Sequence, residues 1–117
     1  MKNNFNYRLY GRSKGRGKNT EISKEAKQIY LKKISINNNN IIDVGSGYGE
    51  STIEIAKSDF TNHVIACEKY IDGINNIAKN NFNNSINNIS IFHGNFHQLL
   101  DEFCPKKSIS ELWILFP

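Results

Sequence analysis

Two carboxylates and three glycines hold most of the chemistry visible in this 117-residue chain. Asp43 stands two residues before Gly45, and glycine recurs at Gly47 and Gly49 before Glu50. Without a Cβ, a glycine loop reaches positive φ and lets its backbone come close to a ligand. The preceding run Ile41-Ile42-Asp43-Val44 has no polar alternation and reads as a buried parallel strand. After the loop, Ser51 to Asp59 carries Ile53, Ile55 and Ala56, a helical pattern whose free N–H groups would face the loop's occupant. Strand, glycine loop and helix in this order form a nucleotide-type site.

Spacing narrows the ligand. A dinucleotide fingerprint, G-x-G-x-x-G, requires a third glycine at position 50, which is Glu50. An acid there opposes a pyrophosphate, which disfavours a nicotinamide-dependent dehydrogenase. A loop flanked by Asp43 and Glu50 suits a cationic or zwitterionic ligand, and S-adenosylmethionine, with a sulfonium, an amino group and no phosphate, has that character. Glu68 closes a second apolar run, His63 to Glu68, nineteen residues after Gly49. A carboxylate at that place accepts hydrogen bonds from both ribose hydroxyls. Asn95 follows Gly94 at the end of a third run, Asn88 to His93, where its amide can meet an adenine edge. The expected cofactor-binding set is therefore Asp43, Gly45, Gly47, Gly49, Glu68 and Asn95. His93 and His97 read as structural residues, and no metal-ligand spacing occurs.

The elements that must position these residues follow from periodicity. Ser23 to Ile34 places Ala26, Ile29, Tyr30, Lys33 and Ile34 at helical spacing after a cap at Thr20 or Ser23. Tyr70 to Phe82 forms the next helix, with Ile71, Ile74, Ile77 and Ala78 on one face; Gly73 within it points to close packing near the ligand. Phe96 to Phe103 is a short helix stopped by Pro105, and Glu111 to Pro117 is a fourth, strongly apolar strand. The fold class is α/β, Rossmann-like, with four parallel strands.

Charge divides the chain into two regions. Lys2, Arg8, Arg12, Lys14, Arg16 and Lys18 precede Glu21 with no acid among them, whereas the remainder holds nine basic against eleven acidic residues. Residues 1–20 read as a flexible basic arm and 21–117 as the ligand-binding domain. Arg8, Arg12, Lys14 and Arg16 would meet phosphates while Tyr10 stacks on a base, so the expected partner is a nucleic acid. No membrane span or signal peptide is apparent, and Cys67 and Cys104 read as reduced thiols of a cytoplasmic protein.

Taken together, these motifs resemble the tRNA (guanine-N7-)-methyltransferase family of class I S-adenosylmethionine-dependent enzymes. The likeness rests on Tyr10-Gly11-Arg12 and Gly15-Arg16 in the arm, and on Ile42 through Ser51. It also rests on Glu68 with Asp72-Gly73-Ile74, on Asn88-Ile89 leading to Gly94-Asn95, and on the closing Leu115-Phe116-Pro117. It implies methyl transfer from S-adenosylmethionine to N7 of a guanine in the tRNA variable loop. It also implies cofactor contacts from Asp43, Glu68 and Asn95. N7 already presents a lone pair, so holding it in line with the methyl group is the main task.

The resemblance places a catalytic carboxylate directly after the Phe-Pro of the fourth strand. The sequence shows no residue there, so no catalytic residue is assigned. The chain is read as a C-terminally truncated member, with a non-catalytic remnant that binds cofactor or tRNA weakly as the alternative. The resemblance also implies a sheet in the order 3-2-1-4, truncated after its fourth strand, which then becomes an edge. Its apolar Trp113-Ile114-Leu115-Phe116 then calls for a missing C-terminal part or a partner chain to cover it.

Overall fold

Strands this apolar must bury both faces, and the helices between them supply the cover. The computed structural model describes residues 21–31, 34 and 39–114. The basic arm, with Arg8, Tyr10, Arg12, Lys14 and Arg16, lies outside the described residues, as do Lys33 and the closing Leu115, Phe116 and Pro117. Within them the elements run α1 (Lys24–Ile29), β1 (Asn39–Val44), α2 (Glu50–Ser58), β2 (Asn62–Glu68), α3 (Ile71–Asn83), β3 (Ile89–His93), α4 (Phe96–Phe103) and β4 (Ile109–Ile114). The sheet has the expected order, β3-β2-β1-β4, with every pair parallel. Its register aligns Val44 with Cys67 and Ile114, and Glu68 with His93, so all four strands end at one rim.

Alternation along the strands builds two cores. Ile41, Val64, Ala66, Ile89 and Ile91 face α1, α2 and α3, where Ile29, Ile55, Ile74 and Ile77 meet them. Ile42, Ile65, Cys67 and Phe92 face the other way and pack against Leu99 of α4. Each helix presents the matching stripe, for example Gly73, Ile74, Ile77, Ala78 and Asn81 on α3. At the end of the sheet away from the rim, a polar chain ties the strands together. Asn40 Nδ2 donates to Ser108 O at 2.7 Å, and Asn40 Oδ1 accepts from His63 Nδ1 at 2.8 Å. In the neutral ring that tautomer leaves Nε2 to accept from Ser90 Oγ, 2.7 Å away.

The first helix is shorter than the spacing of Ser23 to Ile34 predicts. Ser23 caps it, its hydroxyl accepting from Ala26 N at 3.1 Å, but helical geometry stops at Ile29, and Leu31 takes φ +44°. The competing interaction is the outer edge of β3. Leu31 N donates to Ile91 O at 2.9 Å, and His93 N donates to the Tyr30 hydroxyl at 3.0 Å. Satisfying exposed strand groups outweighs another helical turn. β4 differs: it pairs with β1, and Leu112, Trp113 and Ile114 are each about two-fifths exposed.

Candidate functional site

The glycine loop leaves β1 at the rim and is held from three sides. From the neighbouring strand, the Cys67 carbonyl accepts the N–H of Gly45 at 2.8 Å and of Ser46 at 3.3 Å. Beneath it, α3 comes so close that a Cβ on Gly73 would stand 2.2 Å from the Gly47 carbonyl oxygen. That contact accounts for a glycine inside a helix. On the α3 side, a Cβ on Gly49 would meet Ile77 Cγ1 at 2.3 Å. The remaining two glycines have a different reason. Gly45 and Gly47 sit at φ +69° and +61°, yet a Cβ on either would meet nothing within 4 Å. The backbone demands glycine there, and the space beside it is open.

Glu68 ends β2 with its side chain folded onto this loop. Its Oε1 accepts from Gly47 N at 2.7 Å and its Oε2 from Tyr70 N at 3.0 Å. The residue is only 4% exposed. Burial lifts its carboxyl above the ordinary range, opposed by the amide donors of Gly47, Tyr70 and Lys69 and by the Lys69 charge. An ionised carboxylate offers about four lone-pair sites, more than these amide donors fill. The carboxylate therefore organises the loop and retains capacity for a hydroxyl donor.

Asp43 is fully buried, and its carboxylate points into the first turn of α2. Ser51 Oγ and Thr52 Oγ1 both donate to Oδ2, each at 2.7 Å. Its Oδ1 is enclosed and has no hydrogen-bond partner among the described residues, and neither has the buried Ser46 hydroxyl in the loop. Sequence reasoning missed Ser46, Ser51 and Thr52. The available signal was two hydroxyl residues in the first turn after the loop, eight and nine residues beyond the acid that they reach.

Asn95 lies at the same rim as the N-cap of α4, exposed, with Oδ1 accepting from Gln98 N at 2.8 Å. That cap fixes the side chain and leaves Nδ2 as its outward donor. His93 bonds the Lys69 carbonyl through Nε2 at 3.0 Å, and the His97 ring stands 4.7 Å from that of Phe96. Cys67 is buried, its thiol pushed up to about 12 by burial and by the Glu68 charge. Among the described residues no three His, Cys, Asp or Glu side chains converge as a metal site. No described helix is long and apolar enough to cross a membrane. Two surface grooves, of about 420 and 520 Å³, flank α3 and include none of Asp43, Glu68 and Asn95. The candidate site is the rim of the sheet beside the glycine loop.

Comparison with known proteins agrees with this fold. Residues 37–117 match a family model described as "Putative methyltransferase". Over 78 residues the chain is 32% identical to a tRNA (guanine-N(7)-)-methyltransferase of Paenarthrobacter aurescens, covering 66% of this chain and 26% of that protein. A bifunctional methyltransferase of Rickettsia conorii is 30% identical over 102 residues, covering 86% of this chain and 19% of the relative. A tRNA (guanine-N(7)-)-methyltransferase of Hydrogenovibrio crunogenus is 27% identical over 77 residues, or 66% and 32% of the two chains. The chain thus spans from about a fifth to a third of the length of these curated relatives. With its Rossmann-like sheet and its glycine loop inside the matched region, the chain belongs to this methyltransferase family.

Proposed function

We propose that the rim binds S-adenosylmethionine and that the chain serves methyl transfer to N7 of a guanine in tRNA. The observation that carries this reading is the loop itself, with open space beside Gly45 and Gly47 and the Glu68 carboxylate folded against it. The names of two relatives, each a tRNA (guanine-N(7)-)-methyltransferase, supply the substrate. When bound, S-adenosylmethionine supplies an electrophilic methyl group on a sulfonium.

The chain's own residues fit that ligand. Gly45 and Gly47 allow it close to the backbone, and Glu68 has lone pairs for the ribose hydroxyls. Asn95 presents an amide donor to the adenine edge, and Asp43 places a negative charge next to the loop. The basic arm, with Arg8, Tyr10, Arg12, Lys14 and Arg16, is the surface we assign to tRNA. Because N7 carries its own lone pair, this scheme needs orientation and no general base from these residues.

Calorimetric titration of the chain with S-adenosylmethionine tests the reading. Saturable binding that weakens at least tenfold in Glu68→Ala supports it, at roughly 1.4 kcal/mol per tenfold. Equal binding by both proteins, or none by either, overturns the site assignment. Incubation with tRNA and methyl-labelled S-adenosylmethionine then separates transfer from binding alone, since label in N7-methylguanine appears only for the former.

A further inference from the structure

We infer that Thr52, together with Ser51, is a positioning residue of the donor site, fixing through Asp43 the carboxylate oxygen that receives the donor's ammonium group. The inference rests on the methyltransferase reading above and adds two side chains that lie beyond the glycine motif. Asp43 is fully buried near the end of an apolar strand, where an unsupported carboxylate is strongly disfavoured. Its support is unequal. Oδ2 receives both hydroxyls at 2.7 Å, whereas Oδ1, equally enclosed, receives none.

The asymmetry has a local cause. Gly49, at φ +96°, starts α2 so that its first turn faces back toward β1. Thr52 is fully buried, and its branched Cβ restricts χ1, so its hydroxyl keeps one direction. Ser51 adds a second donor from the adjacent, half-buried position. With Oδ2 saturated, the carboxylate is held against rotation and Oδ1 remains the unmatched acceptor. Buried acceptors in folded proteins are matched by donors, and a carboxylate is matched best by a cationic one. The amino-acid end of S-adenosylmethionine provides an ammonium, and its nucleoside end provides none.

That difference defines the experiment. Wild type, Thr52→Val and Thr52→Ser are titrated with S-adenosylmethionine and with 5′-methylthioadenosine, which keeps the nucleoside and lacks the amino-acid end. Thr52→Val, close in shape and without the hydroxyl, is expected to lose roughly tenfold in affinity for S-adenosylmethionine, and Thr52→Ser to recover most of it. Affinity for 5′-methylthioadenosine is expected to be the same in all three. An equal loss for both ligands would reduce Thr52 to loop support and overturn the inference, as would no loss for either. If wild type binds neither ligand, the methyltransferase reading fails first and this inference falls with it. Should Thr52→Val not fold, Ser51→Ala, at the half-buried position, carries the same expectation and the same overturning results.

Discussion

The amide nitrogen of Gly47 lies 2.7 Å from Oε1 of Glu68, joining the tip of the glycine loop to the end of the neighbouring strand. One carboxylate thereby does two things: it shapes the loop from within and offers its remaining lone pairs at the rim. Replacing it removes both. Glu68→Ala takes the acceptor away from the amides of Gly47 and Tyr70 at a buried position, and each such loss costs about 1–3 kcal/mol. We expect chemical denaturation to show a loss in that range, alongside weaker S-adenosylmethionine binding. A variant that binds less but unfolds like wild type would separate the two roles.

The same residue predicts a pH dependence. Burial raises the folded-state pKa of Glu68 above the unfolded one, so between these values the folded state holds more protons. Its contribution to stability is therefore full below the ordinary carboxylate range and declines as pH rises through the raised value. Ligand affinity runs the opposite way, since the ribose hydroxyls need the ionised acceptor. Glu68→Gln should flatten both slopes, measured by denaturation and by calorimetry across pH 4 to 7.

Two glycines should respond differently to alanine. In an ordinary helix interior Gly→Ala stabilises by about 1 kcal/mol. At Gly73 the new Cβ would stand 2.2 Å from the Gly47 oxygen, so we expect destabilisation of about 1–3 kcal/mol and a displaced loop. At Gly47 the Cβ meets no atom, and the loss is limited to the left-handed backbone, roughly 1–2 kcal/mol. Binding should nonetheless fall in Gly47→Ala, because the methyl enters the space assigned to the ligand. Thermal melts paired with titrations distinguish these outcomes.

The basic arm predicts a salt signature. Deleting residues 1–18 removes six basic residues. We expect weaker tRNA binding and a shallower slope of log affinity against log salt, because fewer counterions are released. An unchanged slope would place the RNA contacts elsewhere.

β4 predicts self-association. Leu112, Trp113 and Ile114 are partly exposed on a strand paired on one side only among the described residues. Charged residues on edge strands oppose such pairing. Ile114→Lys should therefore lower the sedimentation-average mass at high protein concentration without altering the melt by more than about 1 kcal/mol.

Much of this arrangement could be read from the sequence because its determinants are local. The apolar run before Gly45 and the Phe96–Phe103 helix with its stop at Pro105 both depend on near neighbours. The same is true of Glu68 at the end of β2. Gly73 was legible as a sign of close packing, although its partner, the Gly47 carbonyl, was not. The first helix was misjudged because Tyr30 and Ile34 fit a helical stripe, while the interaction that wins, with Ile91 and His93, lies about sixty residues away. Asp43 shows the same limit. Its acid was visible beside the loop, but its partners Ser51 and Thr52 appear only once α2 turns back over β1.

Tyr30 and Leu31 have a consequence for assembly. By occupying the hydrogen-bonding groups of β3 at Ile91 and His93, they close one side of the sheet. Growth by strand addition, whether from further polypeptide or from a second copy, is thus one-directional and begins at β4. Two copies joined there by a two-fold axis would form a continuous eight-stranded sheet, antiparallel only at its centre, with both glycine loops left uncovered.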